Sequence, residues 1–245
     1  RAFSSKQVAI RDYKMSRKAA KRQGESVRLT PASRFTLEYL GTPPELGEYV
    51  TTFYHFRCDD AEIHDIQPAA VGHLTLFPCG VGAMSRAAET ADPSHEVNLL
   101  TPFSQAAHFG MEGTFHAVGA ALTPLGWAAL TGLDAKQHAN RLYDAADWLD
   151  PGLVDACREI CADYRAGSAD GRVSADRLGT AIVPHLRRIK PQHAALIATV
   201  NAWLAASLQP DLADLYVASA FSERQTQRLV ERYFGLAPVA LRRKY

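Results

Sequence analysis

The chain has 245 residues, 47% of them hydrophobic and 22% charged, with a formal net charge of +1 at pH 7. That balance describes a globular protein with one large core or two ordinary ones, and excludes collagen-like, low-complexity and disordered chains. The near-neutral charge excludes a uniformly basic nucleic-acid binder, so such a role has to rest on local charge.

Residues 1–33 open the chain as a basic lead. Arg1, Lys6, Arg11, Lys14, Arg17, Lys18, Lys21, Arg22 and Arg28 stand there against Asp12 and Glu25. A solvated, weakly ordered terminus is the expectation, with a nucleic-acid-contacting arm as its rival. Met15, followed by Ser16-Arg17-Lys18, reads as a natural start, with the residues before it upstream or added sequence.

From Arg34 to about Leu125 the pattern changes to short apolar segments divided by Gly and Pro. Tyr49 to Phe56 is rich in aromatic and β-branched residues, as a strand should be. His73 to Phe77 follows, with Pro78 and Gly80 as its stop, and Gly80-Val81-Gly82 reads as a turn. Ser104 to Phe109 and Thr114 to Ala121, with Gly110 and Gly113 between them, suggest a hairpin. Residues 34–149 are therefore expected to form an antiparallel β-barrel or sandwich of cupin-like type, giving an α+β chain. Its aromatics Phe53, Tyr54, Phe77, Phe109, Phe115 and Trp127 are candidate lining of a ligand pocket, with ordinary core packing as the competing role.

Residues 150–189 read as helical. Asp150-Pro151-Gly152 is a start signal, and Leu153, Val154, Cys157, Ile160 and Cys161 form an i, i+3, i+4, i+7 stripe. Leu178, Ile182 and Leu186 mark a second helix, interrupted near Pro184. These stripes suit a core or a dimerisation face. The four cysteines (Cys58, Cys79, Cys157, Cys161) include no CxxC pair and read as reduced thiols, not zinc ligands.

Residues 190–245 carry the most specific pattern. Pro191 fits a first helical turn, and Leu196, Ile197, Val200, Trp203, Leu204 and Leu208 share one face until Pro210. Asp211 caps a short helix from Leu212 to about Ser219. A turn at Ala220-Phe221 leads to Ser222, whose spacing to Gln225 is that of a capping box. The helix it opens stops at Gly235, and Pro238 starts another. This is a helix-turn-helix layout. Arg224, Gln227 and Arg228 lie at i, i+3 and i+4 on its third helix. Arg pairs with guanine and Gln with adenine through two hydrogen bonds each, so these three are candidate base contacts. Ser222, Arg232, Arg242, Arg243 and Lys244 sit at helix ends, where phosphate contacts arise.

Asp211-Leu212-Ala213, Phe221-Ser222-Glu223-Arg224-Gln225, Gln227-Arg228-Leu229, Phe234-Gly235-Leu236 and Pro238 resemble the first helix-turn-helix of the AraC/XylS family of transcription regulators. The resemblance covers roughly the last 55 residues. It departs from the family at Ala220, where glycine is usual, at Thr226 for leucine and at Val230 for phenylalanine. It implies base reading by Arg224, Gln227 and Arg228, and weak, salt-sensitive DNA binding by the first unit alone. The family's second helix-turn-helix is absent from this chain, being removed, not visible or lacking in this protein. It further implies a homodimer in the bacterial cytoplasm, associated with the nucleoid, on double-stranded DNA. Residues 44–151 also resemble the sensor domain of some bacterial members, implying a small-molecule effector or a protein partner.

Other chemistries find less support. No apolar run approaches the roughly 18 residues of a membrane span, and no secretory signal is visible. His55, His64, His73, His108 and His116 are scattered and offer no His-x-His pair, and HExxH, GxSxG and P-loop patterns are absent. The expectation is a regulator, not an enzyme, with no cofactor, metal or catalytic residue. Its rivals are a metal-dependent cupin-type enzyme with a helical tail, and a protein-interaction module.

Overall fold

The computed structural model describes residues 28–87 and 90–244. Most of the basic lead, and with it the contacting-arm reading, lies outside the described residues. The described chain is α+β, with one antiparallel sheet of eight strands and seven α-helices. The strands are β1 (Phe35–Leu40), β2 (Val50–Cys58), β3 (Glu62–Gln67), β4 (His73–Ala87), β5 (Thr90–Pro93), β6 (Val97–Leu100), β7 (Ala107–Leu122) and β8 (Leu142–Asp144). The helices are α1 (Pro124–Thr131), α2 (Pro151–Arg165), α3 (Gly171–Ile182), α4 (Pro191–Ala206), α5 (Leu212–Ala218), α6 (Glu223–Phe234) and α7 (Pro238–Lys244). None of them is long and apolar enough to cross a membrane.

The sheet runs β1-β2-β7-β4-β6-β8, with β3 added to β7 and β5 to β4. Two long strands hold it together, and both correct the sequence reading. β4 does not end at Pro78 and Gly80, and β7 is one strand instead of a hairpin. Gly80 and Gly113 take φ of 84° and 75°. Glycine adopts these angles without a Cβ clash, so each strand bulges or kinks there and continues. On β7 the kink is also where the partner changes, from β3 along Ala107 to Glu112 to β2 along Phe115 to Leu122.

Strand alternation gives the sheet two different faces. Phe53, Leu74, Leu76, Val118, Ala120 and Leu122 share one core with Leu153, Val154, Cys157 and Ile160 of α2 and Leu178 and Ile182 of α3. The stripes that suit a dimerisation face are thus covered by the sheet of the same chain. Asp150 caps α2 by accepting a hydrogen bond from the Gly152 amide at 2.8 Å, and Asp170 caps α3 through the Val173 amide at 2.8 Å. Each cap supplies a partner for an amide that the helix itself leaves unpaired.

A second core gathers Leu196, Ile197, Val200 and Trp203 of α4, Leu215 of α5, Leu229, Val230 and Tyr233 of α6, and Leu241 of α7. Helix α1 connects the two. It follows β7 directly, capped by Thr123, and is apolar on all sides, as a helix buried on all sides should be. Trp127 and Leu130 belong to the first core, whereas Ala128 and Leu125 pack into the second.

Candidate nucleic-acid interface and internal cavity

Helix α6 is defined by its ends. The Ser222 side chain accepts from the Gln225 amide at 3.4 Å, and the helix stops at Gly235. Leu229, Val230 and Tyr233 face inward, while Arg224, Gln227 and Arg228 are all exposed on the opposite side. Residues 219–222 connect α5 to α6. Ala220 occupies its place in that turn with an ordinary negative φ, so the turn needs no glycine there. Thr226 is fully buried, and its hydroxyl bonds the Ser219 hydroxyl at 2.6 Å. Where leucine would add apolar contact, this hydroxyl fastens the turn to the helix behind it.

The expected phosphate contacts divide into two groups. Ser222 and Arg243 are exposed, and Arg242 donates to the Pro210 carbonyl at 3.4 Å. Arg232 is also exposed, whereas its backbone and the Lys244 side chain lie toward the β-rich part. The Ala135 amide donates to the Arg232 carbonyl at 2.7 Å, and the Lys244 ammonium donates to the Phe103 carbonyl at 3.0 Å. Lys136 and Glu231 add an ion pair at 2.8 Å. The C-terminal half of α6 is therefore flanked by the loop that holds Asp134 to Gln137, and Arg228 and Arg232 line the cleft between them. The start of α6, with Arg224 and Gln227, remains open.

The sheet face away from α2 and α3 lines a cavity of about 430 Å³, within the usual range for small-molecule sites. Tyr54 and Phe56 of β2, His73, Thr75 and Phe77 of β4, and Phe109 and Phe115 of β7 contribute to its walls. Leu37 and Tyr39 of β1, 43% and 70% exposed, form its rim. Four of the six aromatics proposed from sequence thus meet in one place. Phe53 and Trp127 do not join them. Phe53 neighbours Tyr54 on a strand and must point to the other face, and Trp127 is 1% exposed in the core beside Gly72.

His73, one of the scattered histidines, also lines the cavity. Its two-residue spacing to Thr75 and Phe77 was the available signal. The Tyr54 hydroxyl joins it, sharing hydrogen bonds with His73 Nδ1 at 3.1 Å and Thr75 Oγ1 at 2.8 Å. Gly119 makes room for this tyrosine, since a Cβ there would fall 2.3 Å from the hydroxyl. Burial pushes the Tyr54 phenol up to about 12 and the His73 imidazole down to about 4. The imidazole is among the side chains that line the cavity.

This depression has a consequence for pH. An unfolded histidine titrates near 6.5, so as pH falls the unfolded chain takes up this proton before the folded one does. His73 therefore contributes stability that is fully present above about 6.5 and is lost progressively as pH drops toward 4. Between pH 7 and pH 5, wild type should lose about 2 kcal/mol more unfolding free energy than a His73→Gln variant. Urea titrations at both pH values measure this difference. Parallel losses in the two proteins would remove His73 as its source.

A second polar group, unforeseen from sequence, lies under the helices. Tyr164 of α2 shares hydrogen bonds with His55 Nε2 at 2.8 Å and His116 Nδ1 at 2.9 Å, and His116 Nε2 reaches Asp59 at 2.9 Å. Burial first, and the neighbouring His116 second, lower the His55 pKa. This chain fastens α2 to β2 and β7. His108 takes no part in it and is exposed on β7.

No family model matches the sequence, and no curated protein matches it. Among solved structures, the crystal structure of the AraC-like transcriptional activator CuxR aligns over 89% of this chain and 83% of its own. The two sequences are 12% identical over that alignment, and the TM-score is 0.39.

Proposed function

We propose that the protein is a sequence-specific DNA-binding regulator of transcription, of AraC type, whose β-rich part senses a small molecule or partner. One observation carries this reading: Arg224, Gln227 and Arg228 are exposed together on a capped helix whose opposite face is packed into a core. Side chains of this kind at the start of a helix are suited to base edges in the major groove. The short helix α5 and its four-residue turn are the remaining parts of a helix-turn-helix. The active form we propose is a homodimer in the bacterial cytoplasm. Ligand in the cavity would act by favouring one presentation of α6 over another. The physical route is short, because β7 both lines the cavity and leads into α1, which packs under α6.

The test is a footprinting and mobility-shift assay on the DNA upstream of the protein's own coding sequence. Arg228→Ala should weaken specific binding by about 1–3 kcal/mol and relax the preference at one base position. Unchanged specific binding would show that Arg228 is not a base contact. Metal analysis of the purified protein separates this reading from the cupin-type enzyme, which calls for a stoichiometric bound metal.

A further inference from the structure

The cavity has a chemical character that narrows what it can hold. Its walls are mainly aromatic and thioether side chains, including Phe56, Phe77, Phe115, Met84 and Met111. Its ionisable lining residues are Asp65, His73 and two tyrosines, Tyr39 and Tyr54; no lysine or arginine is among the described residues that line it. An anion entering this space would lose its hydration without gaining a countercharge, and would also meet Asp65. An apolar body loses nothing comparable and gains by leaving water.

Besides Asp65, Gln67 and Tyr39, one further polar position on the cavity wall is left for a ligand. Thr75 and His73 Nδ1 engage the Tyr54 hydroxyl from two sides, and the other ring nitrogen, His73 Nε2, has no protein hydrogen bond among the described residues. If Tyr54 donates to Nδ1, then Nε2 carries the proton and donates. If Tyr54 donates to Thr75, then Nδ1 donates to Tyr54 and Nε2 accepts. A hydroxyl satisfies either arrangement, whereas a carboxylate satisfies only the first and brings its charge with it.

We propose that the cavity binds a small molecule without negative charge, with an aromatic or otherwise apolar body and one hydroxyl group seated against His73. This rests on reading the β-rich part as a sensor, and adds to it the class of effector.

The test uses the full chain at pH 7.5 and three probes of one shape: 1-naphthol, 1-naphthoate and naphthalene, followed by calorimetry and thermal shift. Naphthol should bind at least tenfold more tightly than naphthoate. His73→Leu should weaken naphthol about three- to tenfold, the loss of one hydrogen bond, and leave naphthalene unchanged. Ala117→Phe, which fills the cavity from β7, should abolish binding of all three. The comparison of naphthol with naphthoate uses wild type alone, so it decides the matter even if a variant fails to fold. Preferred binding of naphthoate overturns the ligand class while leaving a sensing cavity in place. Naphthol binding that survives Ala117→Phe in a folded variant places it elsewhere and overturns the proposal. Failure of all three probes overturns the proposal together with the sensing role of the cavity. DNA binding through Arg224 and Arg228, measured without any probe, stands or falls separately.

Discussion

Trp127→Ala is expected to lower the unfolding free energy by about 3–5 kcal/mol, the range for removing a large aromatic from a packed interior. The indole is 1% exposed and lies so close to Gly72 that no Cβ would fit between them. Its Nε1 donates to the Leu133 carbonyl at 3.2 Å, so truncation also leaves a carbonyl without its partner. The position amplifies the loss. Trp127 holds α1 to the sheet, and the other side of α1 supports the helices around α6. Urea unfolding followed by far-UV circular dichroism measures the effect without relying on the deleted fluorophore. Trp127→Phe keeps most of the volume and should recover more than half of the loss. A cost below about 1 kcal/mol for the alanine variant would contradict the packing described around Gly72.

The next largest effect is expected at Asp92, which is 7% exposed. Its carboxylate accepts two hydrogen bonds from Arg141, at 2.8 and 3.0 Å, and a third from the Leu142 amide at 3.0 Å. Asp92→Ala removes the acceptor and leaves a guanidinium and an amide in a site built around it. Removing one partner of a fully buried pair costs about 3–5 kcal/mol. Arg141 keeps 33% of its side chain exposed, so about 2–4 kcal/mol is the expectation here. The double variant with Arg141→Ala should cost less than the sum of the two single variants, because the second change removes the orphaned charge. Strict additivity across the three proteins would show that the pair carries no coupling. Arg141 also closes the loop that reaches α6, through mutual bonds with Thr101. Loss of Asp92 should therefore loosen the contacts of Ala135 and Lys136 with α6 as well.

Local chemistry was legible wherever it decides structure within a few residues. Asp150, Asp211 and Ser222 are caps, and Gly235 and Pro238 punctuate the last helices, because each role depends on that residue's own backbone and nearest amides. The long strands were not legible. Gly80 and Gly113 carry the same signal whether a strand turns back or bends and continues, and only pairing with distant strands decides between these. The candidate pocket was half legible for a related reason. Aromatic content marks Tyr54, Phe77, Phe109 and Phe115, but Phe53 is equally aromatic, and which face of β2 becomes the concave one is set by the whole sheet. Thr226 gave the opposite difficulty. A polar residue at an inward position reads as a weakness until its hydroxyl partner on Ser219 is in view.

The double allegiance of α1 bears on how the protein can be divided. Going along the chain, the sheet builds the first core, α1 contributes Leu125 and Ala128 to the second, α2 and α3 return to the first, and α4 to α7 complete the second. The two cores are interleaved in sequence, so no single cut yields two intact halves. A fragment beginning near Lys190 would lack one wall of its own interior and expose Leu196, Val200 and Leu229 to water. A chimaera joined at that point would set a foreign α1 against those side chains. Grafting the C-terminal helices onto another protein therefore requires transplanting the α1 surface along with them.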